Sequence, residues 1–126
     1  MTKTILLGLC AWFIFVAAYL LLAPHSFYEN IPGVSDSGPY NSHFMRDVGF
    51  AFLASGAAIG FGALKGDRRL VLFGAAYPVL HGGFHVMHWL EGGVPFSLPA
   101  MAELFPTAGL AILTLLLALR VKGGAA

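Results

Sequence analysis

Apolar residues run almost unbroken from Ile5 to Ala23, from Phe44 to Leu64, from Leu70 to Leu90 and from about Met101 to Leu119. Between these stretches the chain turns polar and rich in glycine and proline. At about 1.5 Å of rise per residue, each stretch is long enough to cross the hydrocarbon layer of a bilayer as a helix, allowing for tilt. The connections are too short to fold by themselves. The pattern therefore predicts an all-α integral membrane four-helix bundle in which residues 1–126 form one four-span domain, with backbone polar groups satisfied inside each helix.

Composition agrees: 58% of residues are hydrophobic and 10% are charged, against about a quarter charged in soluble domains. The first stretch reads as a retained span, because the Ala23-Pro24-His25 that follows it lacks a small-x-small cleavage pattern. Cys10 is the only cysteine, which excludes an internal disulfide and leaves it as a small packing residue.

Charge fixes an expected orientation. Lys3, Lys65, Arg68, Arg69, Arg120 and Lys122 fall at one end of the bundle with a single acid, Asp67; Glu29, Asp36, Asp47, Glu91 and Glu103 fall at the other with a single base, Arg46. The positive-inside rule then places both termini and the Lys65–Arg69 turn in the cytoplasm, and the acidic end outside. The basic cluster is a topology signal, and nothing points to nucleic acid.

The third stretch carries no Asp, Glu, Lys or Arg, yet it holds His81, His85 and His88 at i, i+4 and i+7. At about 100° per residue these imidazoles fall within roughly 60° of arc, a polar stripe on a membrane helix. Ionisable groups at that depth are costly unless they face partners, so the stripe is a candidate site. Counting helical rise puts Asp47 and Glu103 near the level of His88. His85 and His88, with Asp47 and Glu103 as ligands or orienters and His43 or His81 completing the set, would suit zinc, iron or manganese. Copper is drawn in by Met45, Met87 and Met101, although Met87 points away from the histidine face. Haem is disfavoured, because His85 and His88 share a face and cannot grip one haem from opposite sides. The bland alternative for the stripe is histidines bonded to backbone carbonyls; for His81 in particular, Pro78 leaves the carbonyl of Gly74 free to accept an imidazole N–H.

His43 and Asp47 stand one turn apart at the start of the second span, where either a metal contribution or an ordinary helix cap by Asn41 or Ser42 would explain them, the latter with an ion pair from Arg46 to Asp47 or Glu103. Gly49, Gly56 and Gly60 form a stripe facing roughly away from that pair and suited to close helix packing, within the bundle or against a homo-oligomeric or larger-complex partner. The connection Pro24–Ser42 is punctuated by turn signals but carries Phe27, Tyr28, Ile31 and Tyr40, which suits a lid over the outer mouth better than a tether. Gly92-Gly93, Pro95 and Pro99 punctuate the second outer connection, and Pro106 is expected to kink the fourth span. No phosphate-cradling loop or activated nucleophile is present. Besides metal binding, two classes stay open: a non-catalytic accessory subunit, and a proton-coupled carrier using the histidines as a relay.

Pro32-Gly33-Val34, Gly38-Pro39-Tyr40-Asn41 and His43-Phe44-Met45-Arg46-Asp47-Val48-Gly49, with Leu80-His81 and His85 later on, resemble a group of small four-span bacterial inner-membrane proteins of unassigned function. The His-Phe-x-Arg-Asp-x-Gly run is the most specific part, and the resemblance covers nearly the whole chain. It implies the fold and a bacterial inner membrane. It implies no activity.

Overall fold

The computed structural model describes residues 1–93 and 96–122; Pro95 lies outside them. Its helices are α1 (Thr2–Leu22), α2 (Pro24–Asn30), α3 (Ser42–Lys65), α4 (Arg68–Glu91), α5 (Leu98–Leu104) and α6 (Leu110–Ala118), with a π-helical turn at Phe105–Gly109 joining the last two into one rod. Four of the resulting rods, Thr2–Leu22, Ser42–Lys65, Arg68–Glu91 and Leu98–Ala118, are long and apolar enough to cross a membrane. The expected spans are recovered, each within three residues at either end.

Local chemistry sets the boundaries. The side chain of Asn41 accepts from the backbone N–H groups of His43 and Phe44, both at 3.1 Å, and so caps α3. At the far end of α3, Gly66 takes the left-handed conformation (φ 69°) that ends a helix without a Cβ penalty. Asp67 then opens α4 by accepting from the N–H of Arg69 at 2.8 Å and of Leu70 at 3.2 Å. The left-handed Gly66 and the cap Asp67 are adjacent, so α3 and α4 are joined by a tight turn and run antiparallel.

Helix α1 lies along α3, α3 along α4, and α4 against the α5–α6 rod, while a smaller contact of α6 with α1 closes the bundle. Leu6, Phe13, Ile59 and Val71 are fully buried at the centre, and Thr114 joins them by donating its hydroxyl to the carbonyl of Leu110 at 2.7 Å. Without a hydrophobic drive between helices in lipid, such contacts depend on small residues that let backbones approach. A Cβ at Gly74 would stand 2.8 Å from the backbone nitrogen of Ile59, and one at Gly82 would stand 2.7 Å from the Cα of Ala108.

The stripe of Gly49, Gly56 and Gly60 packs inward. Gly49 faces Leu20 and Leu21, Gly56 faces Ile14, and Gly60 faces the Sγ of Cys10. Of the two expectations for this face, the structure shows packing inside the bundle, against α1. The opposite face of α3, which carries His43, Phe50 and Phe61, is exposed.

Residues 24–42 are not a bare connection. Pro24, at the first position of α2, starts the short helix with a preset φ and no N–H to satisfy. Tyr28 donates its hydroxyl to the carbonyl of Gly38 at 2.8 Å, Tyr40 meets the rings of His25 and Tyr28 edge-on, and Phe27 packs on Tyr19. Phe27, Tyr28 and Val34 lean on the core.

Candidate functional site

The histidine stripe of α4 divides on folding. His85 turns to the α5–α6 rod, where its Nδ1 lies 3.0 Å from Oε1 of Glu103. Both side chains are largely enclosed, at 24% and 28% exposure. One turn deeper, the ring of His81 sits edge-on to His85 with centroids 4.7 Å apart, stacks on Tyr77 and meets Phe52 edge-on. The expected bond from His81 to the carbonyl of Gly74 is replaced by these aromatic contacts. His88 is exposed and lies over the ring of Phe84.

Features of the rod and of α4 together bring Glu103 to this point. Ser97 caps α5 by accepting from the N–H of Ala100, which starts the helix a little over one turn before Glu103. Gly82 lets the rod approach α4 to backbone contact at Ala108. Pro106 lacks an N–H and its ring crowds the carbonyl four residues back, so the helix widens to a π turn in place of the expected simple kink. The hydroxyl of Thr107 donates to the carbonyl of Glu103 at 2.8 Å across that turn.

From the other side, Glu103 meets the loop between α2 and α3. Gly33 has φ 80°, and a Cβ on it would stand 2.8 Å from Oε2 of Glu103. The carboxylate thus lies between an imidazole of α4 and the backbone of the loop between α2 and α3.

The other candidate residues go elsewhere. His43 Nδ1 lies 3.0 Å from Oδ2 of Asp47, but the pair is on the surface of α3, 87% and 62% exposed. A third pair, His25 Nδ1 to Glu29 Oε2 at 3.3 Å, is also exposed. With Asp47 engaged by His43 and Glu103 by His85, the ion pair expected from Arg46 does not form among the described residues. Met45 is in the core while Met87 and Met101 are exposed, so the three soft donors do not gather. Among the described residues, no group of three or more His, Cys, Asp or Glu side chains is arranged to hold a metal ion.

All three pairs share one chemistry. In each the carboxylate faces Nδ1, so an N–H there donates to it; Nε2 carries the lone pair in the neutral imidazole and a second N–H in the imidazolium. Only the His85–Glu103 pair joins two different spans and is shielded. Sequence reasoning missed Gly33 and Thr107 as supports of the site; the Pro32-Gly33 turn signal and the proximity of Thr107 to Pro106 were the traces available.

Comparison of the chain with protein-family models, with curated proteins and with solved structures gave no match.

Proposed function

We propose that the protein is a multi-pass protein of the bacterial inner membrane that binds one transition-metal ion at the acidic, periplasmic end of its bundle, with His85 as the anchoring ligand. The contact between His85 and Glu103 carries this reading. A carboxylate that accepts the Nδ1–H of an imidazole fixes the tautomer and aims Nε2 outward as a donor, the support that metal-binding histidines usually have. Glu103 is then the orienting group. His81 and His88, four residues before and three after on the same helix, are the imidazoles best placed to join. Such donors suit zinc, iron or manganese, and copper by imidazole alone. The charge asymmetry supports cytoplasmic termini, and His43 and Asp47 stand outside the set.

The same contact favours a second reading. Here His85 and Glu103 are a hydrogen-bonded clasp fastening the fourth rod to α4, in a non-catalytic accessory subunit that needs no cofactor. A proton-coupled carrier has less support, because Phe52 beside His81, and Phe13 stacked on Phe52, are buried where a path would have to run.

Elemental analysis of the detergent-solubilised chain, purified without a polyhistidine tag, separates the two. The metal reading expects about one metal per chain, lost in His85→Ala and weakened about 10- to 100-fold in Glu103→Gln. A chain that takes up no zinc, copper, iron or manganese overturns the metal reading and leaves the clasp, and one that binds equally well as His85→Ala overturns His85 as the ligand.

A further inference from the structure

At the basic end, the first turn of α1, the α3–α4 turn and the segment after α6 surround an open pocket of about 390 Å³. Lys3, Lys65, Arg120 and Lys122 line it together with Thr2, and among the described residues no Asp or Glu does. Asp67, the one acid at this end, is occupied in capping α4. Among the described residues none of the four cations belongs to an ion pair. Lys3 reaches only the carbonyl of Leu64, at 3.5 Å, and Lys65 lies 5.6 Å from the centroid of the Phe61 ring. Helix α1 starts without a side-chain cap, so its first N–H groups add positive potential beside the pocket.

Four like charges borne by residues lining one open pocket repel one another, and an anion relieves that repulsion. A requirement for cytoplasmic orientation explains why bases lie at this end, but not why residues from three parts of the chain face a single pocket. Arg68 and Arg69 illustrate the difference, since they satisfy the charge bias without lining the pocket. The ends of membrane-crossing helices lie at the level of lipid headgroups, where basic pockets between helices take anionic phosphates. We infer that this pocket holds the phosphodiester headgroup of an anionic phospholipid. The inference rests on the four rods spanning a bilayer and is independent of the metal site at the other end.

Native mass spectrometry of the full chain, released from mixed micelles with equal phosphatidylglycerol and phosphatidylcholine, tests it. One phosphatidylglycerol is expected to stay bound in preference. Arg120→Gln with Lys122→Gln is expected to lower that retention roughly 30-fold, while Arg68→Gln with Arg69→Gln, the same change of charge outside the pocket, leaves it as it was. Lys3→Gln with Lys65→Gln provides a second route to the same loss, and circular dichroism establishes that each variant is folded. Equal retention of the two lipids overturns the proposal, as does an equal loss in the Arg68 and Arg69 variant. Displacement of phosphatidylglycerol by millimolar inorganic phosphate, with the phosphate retained, assigns the pocket to the free ion and overturns the lipid.

Discussion

Glu103 occupies the space that a side chain at Gly33 would need: a Cβ there would stand 2.8 Å from Oε2, while Oε1 faces His85 at 3.0 Å. A loop between the first two large rods thereby closes on a pair formed by the last two. The site and its cover are one mechanical unit.

Gly33→Ala should disturb both. A non-glycine residue at φ 80° is strained by about 1–2 kcal/mol, and the added methyl must push the end of Glu103 aside. The expected result is a lower thermal midpoint in detergent together with shifted imidazole ¹⁵N signals for His85. A variant that loses stability with unchanged His85 signals would separate the loop from the pair.

Removing an imidazole should matter at one pair and not at the other. His85→Ala leaves an enclosed carboxylate without its partner, a loss of roughly 1–3 kcal/mol. His43 is 87% exposed in its pair with Asp47, and surface pairs of this kind contribute little. Chemical unfolding of the two variants side by side should therefore show a clear drop for His85→Ala and almost none for His43→Ala.

Two alanine substitutions in one helix are expected to have opposite signs. At Gly74 the nearest atoms are the backbone nitrogen and side chain of Ile59 and the carbonyl of Ser55, so α3 and α4 must separate to admit a methyl, at about 1–3 kcal/mol. At Gly83 nothing lies within 4 Å, and alanine gains up to about 1 kcal/mol of helix propensity. Thermal denaturation of Gly74→Ala and Gly83→Ala reads both.

Gly60 and Cys10 should behave as a coupled pair. A Cβ at position 60 would stand 2.5 Å from the cysteine Sγ, so Gly60→Ala alone is destabilising, and Cys10→Ala beside it should restore much of the loss. A double-mutant cycle is expected to give a coupling energy of roughly 0.5–3 kcal/mol. Strict additivity would place the cost of Gly60→Ala in some other contact.

Much of the fold was legible because the bilayer simplifies the reading: Leu70–Leu90 has no Asp, Glu, Lys or Arg over a length that suits one membrane-crossing helix. Asn41 was readable as a cap from its place before an apolar run. Helical rise put Glu103 at the histidine end of the stripe, near the level of His88, whereas the structure pairs it with His85, about one turn deeper. Depth says nothing of azimuth, however, and Asp47 shows the difference. The glycine stripe and the His43–Asp47 face lie on opposite sides of α3, so only one of them could point into the bundle. Gly49, Gly56 and Gly60 took the inner side because only they allow α1 to come close, and Asp47 was left outside. Gly33 was beyond reach, since no periodicity links a loop residue to the far end of the chain.

The π turn at Phe105–Gly109 has a consequence for how this protein can change. A π turn amounts to one residue more than an α-helix needs, and one residue corresponds to about 100° of rotation. Deletion of a single codon there would leave Leu110–Ala118 seated against α4 and α1 while swinging Glu103 away from His85. Chain variants differing by one residue at this turn would share a topology and a hydropathy profile, yet one would present a carboxylate to the imidazole and the other would present it to lipid.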